Sequence, residues 1–123
     1  MKLPEKEIEL MQIIWQLETP FMKDILVSYP EPKPAATTIA TLLKRLQDKQ
    51  IVGYNEFGNS RQYFAILKKE NYFSSHINGL IKNHFNDSTA QFASFFTTET
   101  NLSQKELLEL RKIIDKQIKT ENQ

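Results

Sequence analysis

The chain has 123 residues, 40% of them hydrophobic and 25% charged, with a formal net charge of +1 and no cysteine. That length allows one domain, or a domain with a small appendage, and a core of useful size. A disulfide framework, a thiolate metal site and a cysteine nucleophile are excluded. No apolar run approaches the ~18 residues of a membrane span, and the N-terminal stretch MKLPEKEIEL does not read as a signal peptide, so a cytoplasmic location without membrane insertion is expected.

From Pro4 to Glu18 a proline and a cluster of acids suit the positive end of a helix. Ile8, Met11, Ile14 and Trp15 form its apolar stripe, widened by Leu10 and Leu17, and Trp15 reads as a core anchor. Thr19-Pro20 breaks the pattern. A short second helix follows over Phe21 to Tyr29, with Met22, Ile25, Leu26 and Tyr29 at helical spacing. Pro30, Pro32 and Pro34 then stiffen a connector, because each fixes its own φ and restricts the residue before it.

Pro34 to Lys49, PAATTIATLLKRLQDK, reads as a third helix with Pro34 at its first position. Ile39, Leu42, Leu43 and Leu46 fall on one side, Thr37, Thr41 and Lys44 on the other, and Thr38 and Arg45 on a flank. Short hydroxyls followed by two cations suit approach to base edges and phosphates. A half-buried helix with a merely solvated polar face is the bland alternative. Next come Ile51–Phe57 and Arg61–Leu67, two alternating runs joined by Gly58-Asn59-Ser60, which is turn chemistry for a hairpin. Helix, turn, basic helix and hairpin in succession make a winged helix-turn-helix, with Pro34–Lys49 as the reading element and Asn59, Ser60 and Arg61 at the wing tip. Arg61 is the expected phosphate contact; its alternative role is a solvated edge-strand charge that discourages aggregation.

Beyond Glu70 the character changes. Phe73, Ile77, Leu80, Ile81 and His84 make a stripe over Asn71–Phe85, Ser88–Thr97 is a short helix dense in Phe, and Ser103–Lys119 opens on a capping box of Ser103 and Glu106. The last helix runs Leu107, Leu110, Ile114 and Ile118 along one face. Three such segments cannot bury their own aromatics, so two copies are expected to share a core through Phe73, Ile77, Leu80, Ile81, Phe92, Phe95, Phe96, Leu107, Leu110 and Ile114. A monomer folding this tail onto its own domain is the alternative.

Charge follows the same division. Residues 1–32 carry three lysines against six acids, for −3. From Lys33 to Lys69 seven cations face only Asp48 and Glu56, for +5, and the remainder sums to −1. Positive charge gathered on the third helix and its successor is the footprint of a polyanion-binding surface. His76 and His84 lie about two turns apart with no carboxylate or thiol to complete a metal site. No glycine-rich phosphate loop and no nucleophile motif is present, so neither an enzyme nor a cofactor is expected.

The stretch Thr37-Thr38-Ile39-Ala40-Thr41-Leu42-Leu43-Lys44-Arg45-Leu46 resembles the recognition-helix signature T-(T/I)-(V/I)-x-T-L-(L/I)-x-R-L of the penicillinase-repressor and methicillin-resistance-repressor family. Arg61-Gln62-Tyr63 and Leu102-Ser103 add agreement, and the resemblance spans essentially the whole chain. Thr38, Thr41 and Arg45 stand at the signature's own positions, while Lys44 stands at a variable one. The resemblance implies a dimeric winged-helix repressor of operator DNA whose C-terminal helices form the dimer module. Family members controlling β-lactam resistance are inactivated by cleavage in that module after a membrane receptor senses the drug. The Asn-Phe pair cut there is matched in part by Ser94-Phe95, which makes this pair the candidate cleavage site and a regulatory protease a candidate partner. A copper-sensing branch relies on a cysteine motif that this chain lacks, and Ala65 stands where members often carry an aromatic.

The expected protein is therefore mainly α with a small β-hairpin: a winged helix-turn-helix over residues 1–69 and a helical dimerisation region over 70–123. Its expected function is sequence-specific repression as a homodimer on an inverted repeat of double-stranded DNA. The competing reading, from a different class, is a winged-helix module that docks a protein through the same face.

Overall fold

The computed structural model describes residues 2–122. In chain order the elements are α1 (Glu5–Leu17), α2 (Met22–Ser28), α3 (Ala36–Asp48), β1 (Val52–Phe57), β2 (Ser60–Ala65), α4 (Lys69–His84), α5 (Thr89–Glu99) and α6 (Gln104–Glu121). The chain forms two compact units, the first ending at Ile77 and the second beginning at Asn78, so the division falls inside α4.

The first unit is a winged helix-turn-helix, built where the apolar stripes of three helices meet. Leu10, Met11 and Ile14 of α1, Ile25 of α2, and Ile39, Leu43 and Leu46 of α3 are all buried, with Ile51, Val52 and Tyr63 closing the core from the hairpin. Leu17, expected on the stripe of α1, instead lies at its exposed end, where Glu18 leaves the helix with φ 69°. Trp15 anchors as expected: its indole N–H donates to the Leu67 carbonyl at 2.9 Å, and its ring lies 5.9 Å from those of Tyr72 and Phe73.

Helix α3 begins two residues later than the sequence suggests. Pro34 is not its first residue, because Ala35 is still extended (φ −67°, ψ 147°) and its carbonyl accepts the first turn's N–H groups of Thr38 and Ile39. The extended connector set by three alternating prolines thus runs through Ala35 before the helix can start. Just upstream, the Lys33 ammonium donates to the carbonyls of Leu26, Val27 and Tyr29 at 3.3, 3.0 and 2.7 Å, and so closes the C-terminal end of α2.

The hairpin turn is two residues long, not three. Ser60 pairs with Phe57, Arg61 with Glu56, and Tyr63 with Tyr54, which leaves Gly58 and Asn59 as the loop. Gly58 takes φ +61°, the positive value that a two-residue turn of the II′ pattern requires at its first position. A lone hairpin is marginal. Here it is tied to the helices by the Tyr63 N–H, which donates to the Pro20 carbonyl at 2.8 Å, and by a bridge between Phe21 and Gln62.

Among the described residues of this unit one charged side chain is buried. Glu7 of α1 is only 2% exposed, and its carboxylate accepts from the Lys49 ammonium at 2.7 Å, at the C-terminal end of α3.

The Tyr29 hydroxyl is also buried and has no hydrogen-bond partner among the described residues. Burial, and secondarily the Glu9 carboxylate, pushes its pKa up to about 12, against about 10 for an unfolded tyrosine. The folded state therefore keeps this proton while the unfolded chain gives it up, and stability falls as pH rises from about 10 to about 12. Tyr29→Phe should remove that part of the alkaline loss and leave neutral-pH stability unchanged or raised. Urea unfolding at neutral and alkaline pH is the check; an unchanged alkaline profile counts against the buried hydroxyl as its source.

In the second unit, Phe85 gathers Phe92 and Phe95 at ring distances of 5.5 and 5.1 Å, and Phe92 stacks on Phe96 at 6.2 Å. Helix α6 starts with the expected box: Ser103 Oγ accepts from the Glu106 N–H at 3.1 Å, and the Glu106 carboxylate accepts from the Ser103 N–H at 2.9 Å. Hydrogen bonding from Ser103, its backbone N–H first and its hydroxyl second, holds the Glu106 carboxyl below its usual pKa. Yet α5 and α6 bury no residue at all.

Candidate nucleic-acid interface

Helix α3 divides cleanly into two faces. Ile39, Leu42, Leu43 and Leu46 are buried in the core, and Thr37, Thr38, Thr41, Lys44 and Arg45 are all exposed. The hydroxyls are not equivalent. Thr41 donates to the Thr37 carbonyl one turn back at 3.0 Å, so its hydroxyl proton is engaged and its methyl group and oxygen lone pairs are what it has left to offer. That favours contact with a thymine methyl or a donor on a base edge. Thr38 stands at the flank and borders a groove formed with α1 and the proline connector.

The cations are less free than the charge count suggests. Of the seven between Lys33 and Lys69, Lys33 closes α2, Lys49 pairs with Glu7, and Lys44 reaches the Asp48 carboxylate at 3.2 Å one turn along α3. The Lys44–Asp48 pair is exposed on both sides, and such pairs are worth roughly 0.3–0.5 kcal/mol. A phosphate can therefore displace it at little cost. Among the described residues Arg45, Arg61, Lys68 and Lys69 have no carboxylate partner.

At the wing, Asn59, Ser60 and Arg61 are exposed, with Asn59 in the turn and the other two at the start of β2. Arg61 faces Glu56 across the ladder, yet its guanidinium lies over the Tyr54 ring, 4.1 Å from the centroid. A cation over an aromatic face gains about 0.5–1 kcal/mol at an exposed site. The stack holds the guanidinium in one place while leaving its N–H edge open.

The residues assigned to self-association fall in both units. The ring of Phe73 packs beside Trp15 and Tyr72 in the first unit, and Ile77 ends that unit. Ile81 is buried, while Phe92, Leu107 and Leu110 are half-buried. Leu80, Phe95 and Phe96 are exposed, and Ile114 is 57% exposed. Leu108 and Ile113, which the sequence stripe did not include, are exposed as well, so the apolar surface of α6 is wider than its heptad-like spacing indicates. Ser94 and Phe95 lie in the middle of α5, where the Ser94 carbonyl accepts the hydroxyls of Thr97 and Thr98.

Among the described residues no cluster of side chains could hold a metal ion, and no helix is long and apolar enough to cross a membrane. The model of a family described as penicillinase repressor matches residues 3–116. No curated protein matches the chain.

Proposed function

The chain belongs to the penicillinase repressor family, whose members are transcriptional repressors, and from that premise we propose that it represses by binding a specific inverted repeat of duplex DNA as a homodimer. One observation carries the reading: α3 buries one face completely and offers three threonines, Lys44 and Arg45 on the other. Two copies place their α3 helices in successive major grooves, about 34 Å apart. Thr37, Thr38, Thr41 and Lys44 face bases and nearby phosphates, while Arg45, Asn59, Ser60 and Arg61 hold the backbone.

Self-association is supported by the second unit, whose two last helices bury nothing by themselves while exposing Phe95, Phe96, Leu108, Ile113, Ile114 and Ile118. A helix with an apolar stripe is stabilised mainly by packing that stripe, and a second copy supplies the matching surface. Inactivation by cleavage at Ser94-Phe95 would require α5 to open first, since a protease needs its substrate unwound.

Selection from random duplex DNA, followed by salt titration, tests the reading. The expected product is an inverted repeat with half-sites about ten base pairs apart, bound with a steep salt dependence. Recovery of no preferred sequence would refute it and favour a protein-docking module. Arg61→Ala should weaken binding to all sequences alike and flatten the slope of log K against log salt by about 1 per half-site. A changed sequence preference at constant slope would contradict the wing assignment. Thr41→Ala should relax preference at one base position, by no more than roughly 1–3 kcal/mol; an unaltered profile removes Thr41 from the reading face.

A further inference from the structure

A cleft of about 470 Å³ opens between the start of α2 and the hairpin, lined by Phe21, Met22 and Lys23 on one side and by Asn59, Ser60, Arg61 and Tyr63 on the other. Two cations, two hydroxyl-bearing residues and an amide line it, with no carboxylate among them. The acids nearest in sequence, Asp24 and Glu56, are not among its lining residues. The Asp24 carboxylate accepts from the Phe21 N–H at 2.9 Å, and Glu56 forms no ion pair with Arg61, whose guanidinium rests on Tyr54. The walls are fixed to one another by the bond from the Tyr63 N–H to the Pro20 carbonyl and by the Phe21–Gln62 bridge. The Phe21 and Phe57 rings meet edge to face at 6.1 Å.

We propose that this cleft seats a single backbone phosphate of the bound duplex, held from the wing by Arg61 and from α2 by Lys23. The proposal rests on the repressor reading and adds to it a contact that the charge distribution along the chain conceals. Lys23 belongs to the acidic first segment, and only the fold brings it across from the wing. A phosphodiester fits the lining: it is one negative charge with acceptor oxygens on several sides, met by an ammonium, a guanidinium N–H edge, a hydroxyl and an amide. Because Arg61 is already held by Tyr54 and the two walls are tied together, the site is formed before the ligand arrives.

The experiment is a salt titration of the full chain with a mixed-sequence duplex long enough for two half-sites, comparing Lys23→Ala, Arg61→Ala and the double variant. Neutralising one phosphate contributes about 0.9 to the slope of log K against log salt. Each single variant should flatten the slope by up to that amount per half-site, and the double variant by no more than the larger single effect, because both side chains serve one phosphate. Lys23→Arg should restore the parent slope. Two results would overturn the shared seat while leaving the repressor reading intact: no change of slope on Lys23→Ala, or strictly additive changes in the double variant. If the parent chain binds no duplex at all, the repressor reading itself falls and the phosphate seat falls with it.

Discussion

Ending the chain after Ile77 should weaken binding to the full inverted repeat by ~10²–10⁴-fold while leaving binding to a single half-site nearly unchanged. The first unit keeps its own core in such a chain, since Leu10, Met11, Ile14, Ile25, Ile39, Leu43 and Leu46 all lie before the cut. On the proposed reading, what is lost is the surface that joins two readers. With that surface, the second α3 meets its groove at an effective concentration set by the tether; without it, each reader must be recruited from solution. Sedimentation of the truncated chain should show a monomer, and titration against full and half operators should show the two affinities converging. A truncated chain that holds the full repeat as tightly as the intact one would move self-association into the first unit.

Leu46→Ala should cost about 2–5 kcal/mol, the range for emptying a fully buried leucine site. That is a large share of the 5–15 kcal/mol that typically holds a domain folded. Leu46 is 0% exposed, and its carbonyl accepts the Ile51 N–H at 2.9 Å, at the passage from α3 into β1. The cavity therefore opens where the reading helix hands over to the wing, and both should loosen together. The midpoint of urea unfolding should fall with little change in its steepness, and duplex affinity should drop with the folded fraction. A loss below about 1 kcal/mol would mean that the site collapses around the smaller side chain.

The elements and their order were legible because each helix repeats its apolar residues at helical spacing and each strand alternates. Ile39, Leu42, Leu43 and Leu46 declared the buried face of α3, and Ser103 with Glu106 declared the start of α6. Boundaries were less legible. Nothing in Pro34-Ala35-Ala36 distinguishes a helix start from the last steps of a proline connector, since neither alanine offers a capping oxygen. Ser60 looked like part of a turn because serine favours turns, but cross-strand pairing made it the first residue of β2. Long-range partners were not legible at all. Lys23 and Lys49 are each followed or preceded by an aspartate that is not their partner. Helical spacing already pairs Lys44 with Asp48, whereas the fold alone gives Lys23 to a cleft and Lys49 to Glu7.

The Glu7–Lys49 pair has a further consequence for how this chain can change. The two residues lie 42 positions apart, and the carboxylate is buried while the ammonium is partly exposed. Losing Lys49 strands a negative charge in the core, which is costly, whereas replacing both partners with apolar side chains of similar size can be nearly neutral. Lys49 alone is thus closed to drift, whereas loss of Glu7 leaves an ammonium that water can reach. Across diverging copies of such a chain, the cation after α3 should be lost only where the carboxylate in the first turn of α1 has been lost with it or before it.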